Sequence, residues 1–218
     1  MNRREAVQYI SLIVGGTVVG SSAFLAGCTS NPAGVSMTFS DADISLLDEI
    51  AETILPTTKT PGAKAAKVGQ FMTVMVNDCY EAPDQKIFHE GLVKLNKAAD
   101  KKYSNSFTKI TPQQRQDLLV QLDKDSSNFQ KKINAEYAAL SDEQKHEMTM
   151  KKDFDGKDPW ADKRRADPNY YYAMMKQLTL LGYFTSEIGC TQAMRYVETP
   201  GRFDPCIPYK KGDKAWAT

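Results

Sequence analysis

The fold is limited first by the period of the apolar residues. Beyond residue 40 they recur three and four positions apart, stretch after stretch, and no segment alternates apolar and polar residues for a useful length. Spacing of three and four is one face of an α-helix; a half-buried strand needs a period of two. The punctuation agrees. Ser40-Asp41-Ala42-Asp43 reads as a helix start, with Ser40 as N-cap and acids in the first turn. Ile44, Leu47, Ala51, Ile54 and Leu55 follow in register until Pro56 stops them. Residues 57–67 form a loop around Pro61-Gly62.

Val68, Phe71, Met72, Met75 and Cys79 make the apolar face of a second helix, which places Cys79 near the buried side at its end. Pro83-Asp84 opens a third, with Ile87, Phe88, Leu92, Leu95 and Ala99 inward. Thr111-Pro112-Gln113-Gln114 is a strong start: a cap, a proline at the first position, a glutamine at the third. Leu118, Leu119 and Leu122 supply that helix's face, and Phe129, Ile133, Tyr137 and Leu140 mark a separate, weaker one. Ser141 caps another short helix, and 151–167 reads as a solvated loop anchored by Trp160. Asp167-Pro168 starts the most apolar helix, with Tyr171, Met174, Met175, Leu178 and Leu181 inward and Gly182 at its end. A short helix broken near Gly189 follows, and the tail from Thr199 is extended, carrying Pro200-Gly201, Pro205-Cys206 and Pro208. The expected architecture is therefore all-α: one compact helical domain of about six or seven helices over 40–218, with an irregular Pro-rich C-terminal tail.

Ahead of the domain stands a signal-like helix. Arg3 and Arg4 form a positive head, an uncharged run from Tyr9 to Ala26 follows, and the segment closes on Leu25-Ala26-Gly27-Cys28. A positive head, an apolar middle and small residues before a processing point are the parts of a secretory signal. Paired arginines resemble the twin-arginine signal, whose route carries folded proteins. Ala6 stands where that motif usually has a larger apolar residue. The closing tetrapeptide resembles the lipobox of bacterial lipoproteins, which implies cleavage after residue 27 and acylation of Cys28. The competing reading is an uncleaved membrane helix, since the run approaches the roughly 20 residues a span requires. Residues 28–39 then serve as a flexible tether.

Without residues 1–27, the 28 basic and 27 acidic side chains fall to 26 of each. A balance of zero excludes the basic excess of a nucleic-acid binder. With Cys28 committed to lipid, three of the four cysteines remain, so at most one intramolecular bridge forms.

The chemistry-bearing motifs are absent from the sequence. It has no Gly-x-Gly-x-x-Gly, no phosphate-binding loop and no Cys-x-x-Cys-His. His89 and His146 stand apart and are expected at the surface. Asp41/Asp43 and Asp153/Asp155 read as solvated acids. The methionines Met72, Met75, Met148, Met150, Met174 and Met175 read as core filler rather than copper ligands. No catalytic, cofactor or metal site is expected in this chain.

Two blocks carry a resemblance. Ala51-Glu52-Thr53-Ile54-Leu55-Pro56, with Thr60-Pro61-Gly62-Ala63-Lys64-Ala65-Ala66, forms the first. Gly182-Tyr183-Phe184 through Gly189, Arg195-Tyr196, Pro200-Gly201-Arg202-Phe203 and Cys206 through Trp216 form the second. Together they resemble the gluconate 2-dehydrogenase subunit 3 family. The resemblance implies a cofactor-free small subunit that stabilises a large flavin-dependent dehydrogenase of the glucose-methanol-choline type and escorts it through export. FAD, and in some complexes haem c on a cytochrome subunit, would then reside in partners. Together with the lipobox, the expected location is the periplasmic side of the cell envelope, with Cys28 as the lipid anchor.

The tail's aromatic residues suit an interface. Tyr183, Phe184, Arg202, Phe203, Tyr209 and Trp216 are the candidate partner contacts; the alternative is that the tail folds back on its own domain. A Cys79–Cys206 disulfide would pin the tail and contribute about 4 kcal/mol on the chain-entropy model. The alternatives are no bridge or one through Cys190. Two other functions stand beside the accessory subunit: a stand-alone envelope lipoprotein that binds a ligand or a structural partner, and an enzyme with a site of its own.

Overall fold

The computed structural model describes residues 38–155, 158, 160–199, 201 and 206–217. Among them seven α-helices follow one another: α1 (Asp41–Ile54), α2 (Val68–Cys79), α3 (Ala82–Tyr103), α4 (Pro112–Ala138), α5 (Asp142–Asp155), α6 (Ala161–Arg165) and α7 (Tyr170–Phe184). A 3₁₀ turn (Phe107–Lys109) joins α3 to α4, and a π-turn (Gly189–Ala193) follows α7. The class is all-α, with one isolated parallel β-bridge between Arg195 and Trp216. Arg3, Arg4 and Cys28 lie outside the described residues.

Local chemistry sets the starts. At α1 the Ser40 side chain accepts from the Asp43 backbone, and the Asp43 carboxylate accepts from the Ser40 backbone at 3.0 Å. Thr111 and Gln114 make the same reciprocal pair ahead of Pro112 at α4. Each such box satisfies two of the N–H groups that a helix start leaves without partners.

The last long helix is the centre of the packing. α7 touches α1, α2, α3 and α4. Its inner face, from Tyr171 through Met175 and Leu178 to Tyr183, meets Leu47 and Ile50 of α1, Met72 and Val76 of α2, and Phe88 and Leu95 of α3. Phe107 closes the core from the 3₁₀ turn. Full burial of a side chain such as Phe88 or Leu47 stabilises by roughly 2–3 kcal/mol.

Four expectations are corrected here. The two helices expected over 112–140 are one 27-residue α4. The polar stretch at its middle is tolerated because Ser126, buried, donates to the buried Asp167 carboxylate at 2.6 Å. The expected solvated loop over 151–167 instead contains the end of α5 and all of α6. Arg165 of α6 grips Asp84 of α3 through two bonds of 2.8 Å and Glu81 through one of 2.7 Å. Those bonds, Asp84's foremost and against the opposing effect of burial, raise the Arg165 pKa still further. Trp160 is buried, as an anchor requires.

Gly182 does not end α7, which runs on to Phe184. Its missing side chain lets Phe71 of α2 pack against the backbone: a Cβ there would meet Phe71 Cδ1 at 2.5 Å. Leu181 faces outward, because the register set by Met175, Leu178 and Thr179 carries Gly182 and Tyr183 to the inner face.

Candidate functional site

The first family-like block is built around three acids of α1. Glu52 reaches over the loop that follows the helix. One carboxylate oxygen accepts from the Thr57 backbone at 2.8 Å and from the Thr57 hydroxyl at 2.7 Å; the other accepts from the Lys64 backbone at 3.0 Å. Gly62 donates its N–H to the Thr57 hydroxyl at 3.0 Å, and any Cβ at Gly62 would overlap the Glu52 carboxylate. That explains the glycine of Pro61-Gly62.

Asp48 accepts from the Gly69 backbone at 2.9 Å, so it caps the first turn of α2 from another helix. Lys67, which precedes that turn with φ of 55°, supplies no side-chain cap of its own. Glu49 binds Lys64 at 2.5 Å and also Arg115 of α4. Arg115 in turn donates to the Phe107 and Thr108 carbonyls. The Lys64 hydrogen bond, with the charges of Arg115 and Lys64, holds the Glu49 carboxyl below its usual pKa against the opposing effect of partial burial. These acids are structural partners of backbone and cations.

α7 closes the same loop from the far end of the chain. Tyr183 is only 4% exposed, and its hydroxyl donates to the Pro61 carbonyl at 2.6 Å. Tyr183 was expected at a partner interface; the structure places it in the core. The helical register from Tyr171 to Leu178 carries that signal. Tyr171, buried on the same face, has its phenol pushed up to about 12, chiefly by desolvation.

The second block divides. Phe184 is half-exposed and meets the Tyr183 ring edge-on at 5.2 Å. Arg202 and Phe203 lie outside the described residues. Tyr209 is 72% exposed and Trp216 42%. One short pairing holds the tail: Arg195 donates to the Ala215 carbonyl and accepts from the Ala217 N–H, both at 2.8 Å. The Arg195 guanidinium stands 4.6 Å from the Trp216 ring centre, a cation–π contact. Lys214 reaches the Gln192 carbonyl. The tail thus touches its own domain at Trp216 while Tyr196, Val197, Ile207 and Tyr209 remain exposed.

The Cys79–Cys206 bridge is not formed: Cys79, Cys190 and Cys206 are free thiols. Cys79 is exposed rather than near the buried side, because the inner face of α2 is carried by Val68, Met72 and Val76. Its sulfur sits 4.0 Å from that of Met75.

Of the two histidines, His146 is exposed, but His89 is not on an open surface. Its ring is half-buried and stacks on Phe39 with centroids 4.0 Å apart. Met72, Met174 and Met175 are core residues, whereas Met150 is exposed. Among the described residues no group of three His, Cys, Asp or Glu side chains stands together as a metal site. None of the described helices is long and apolar enough to cross a membrane.

The model of the family described as gluconate 2-dehydrogenase subunit 3 matches residues 41–201. That span takes in the whole first block and the α7 end of the second, and it stops short of the exposed tail. No curated protein and no solved structure matches the chain. With most of its length inside the family model, the chain belongs to the gluconate 2-dehydrogenase subunit 3 family.

Proposed function

We infer that this chain is the accessory, non-catalytic subunit of an exported FAD-dependent dehydrogenase of the glucose-methanol-choline type, such as gluconate 2-dehydrogenase. The observation that carries this reading is the family match over residues 41–201. The geometry adds support of one kind. In the first family-like block, Glu52, Thr57 and Gly62 bind one another and the loop backbone, an arrangement suited to shaping a docking module rather than to turning over a substrate.

In this reading the large subunit holds FAD, a cytochrome c subunit with haem c takes its electrons, and the exposed Phe184, Tyr209 and Trp216, with Arg202 and Phe203, face the partner. Arg3 and Arg4 direct export of the folded pair. Cys28 anchors the complex by lipid to the periplasmic side of the envelope, where two or more acyl chains give stable attachment.

A tagged pull-down followed by an absorption spectrum tests the subunit role. The expected result is a larger yellow partner carrying the dehydrogenase activity. A stable monomer with no flavoprotein would leave the stand-alone envelope lipoprotein instead. Export is tested separately. Arg3→Lys together with Arg4→Lys is expected to strand the dehydrogenase activity inside the cell, and a large subunit that still reached the envelope would end the escort idea.

A further inference from the structure

A groove of about 390 Å³ lies between the second half of α4, α5 and the start of α6. Its walls include Ile133 and Tyr137 of α4, Lys145 and Met148 of α5, and Trp160 and Arg164. The volume falls in the range of small-ligand sites, roughly 300–1,000 Å³. Two features describe what would fill it.

The first is shape. Tyr137 and Trp160 meet edge to face, with centroids 5.4 Å apart at 86°, and form an aromatic corner extended by Ile133 and Met148. Such a corner suits a flat or ring-shaped apolar body.

The second is charge. Two cations and one anion line the groove. Asp158 is engaged by the Arg164 guanidinium at 2.5 Å and by the Trp160 backbone at 2.9 Å. Lys145 stands 3.8 Å from Asp142, whose carboxylate is fully exposed, and 5.9 Å from the Tyr137 ring centre. The Gln130 amide on the α4 side already donates to Asn134. The Trp160 indole nitrogen is buried and meets no acceptor among the described residues. Among the lining side chains Lys145 and Arg164 face the single anion Asp158, which leaves one positive charge in excess at Lys145, whose own neighbour Asp142 lies outside the groove in solvent.

We propose that this groove binds a small ring-bearing organic carboxylate, with the ring in the Tyr137–Trp160 corner and the carboxylate toward Lys145. The site is separate from the exposed tail and involves none of the partner contacts named above.

The test uses the full chain with Trp216→Phe, which leaves Trp160 as its only tryptophan. Trp160 emission is followed while benzoate is added, and in parallel its neutral counterpart benzamide. Benzoate is expected to give a saturable change, and benzamide to bind at least about tenfold more weakly. Lys145→Gln is expected to weaken benzoate roughly fivefold, and Lys145→Arg to preserve it. Should Lys145→Gln lower the unfolding midpoint, added potassium chloride supplies the same readout in the unaltered groove: benzoate weakens and benzamide does not. An absent saturable response, equal affinity for the two probes, or benzoate binding indifferent to both Lys145→Gln and salt would overturn the proposal.

Discussion

The loop after α1 lies inside the family match and the tail at 206–217 lies beyond it, and the fold treats the two in opposite ways. In the loop, Glu52 closes on three donors, Gly62 is required by contact, and Ala63 is fully buried. In the tail, Trp216 is held by Arg195 and the backbone pairing beside it, while Ile207 and Tyr209 stand in solvent. The loop residues have a reason to be what they are within this chain. Tyr209, 72% exposed, does not, and aromatic residues of that kind are enriched at interfaces. A motif can thus be read by asking whether its own fold uses it.

The largest expected effect is at the loop. Glu52→Ala leaves the Thr57 and Lys64 N–H groups without their acceptor and should cost about 3 kcal/mol. In a domain of this size, that is a fall of roughly 10 °C in the unfolding midpoint by calorimetry. A loss under about 1 kcal/mol would mean that water replaces the carboxylate and that the loop is not organised by it.

The second is smaller and depends on pH. Glu49's folded pKa lies below its usual 4.5, so its contribution is complete above that value and is lost as pH falls through the lower folded one. Stability should therefore decline as pH falls below about 4.5, and Glu49→Gln should flatten that decline. Parallel denaturant curves for the two proteins across that range would contradict the assignment.

The smallest effect on stability is expected at the tail. Tyr209→Ala should change stability by no more than about 0.5 kcal/mol, as for an exposed site away from caps and core. The same variant should lose the flavoprotein in a pull-down. A large loss of stability with retained partner would reverse the contrast between the two regions.

What could be read from the sequence was local. The capping pairs Ser40/Asp43 and Thr111/Gln114 lie three residues apart and mark α1 and α4. The apolar period of α2 located both its ends. What could not be read depended on partners far along the chain. Ser126 keeps α4 continuous by bonding Asp167, 41 residues away, and Arg165 stabilises α6 by bonding Asp84, 81 residues away. A charge-dense segment looks the same whether its cations face water or a distant carboxylate. Tyr183 was legible and missed: its place in the register of α7 puts it inside, whatever its company in a motif.

The central position of α7 also sets an order of events. Its partners α1, α2, α3 and α4 are all made earlier by the ribosome, and the Tyr183–Pro61 bond spans 122 positions. Until α7 is synthesised, the apolar faces of four helices have no common surface to cover them. Closing so long a loop comes late in folding, and incomplete chains with bare apolar faces are those that aggregate. A chain built this way cannot complete its core before α7 has been made.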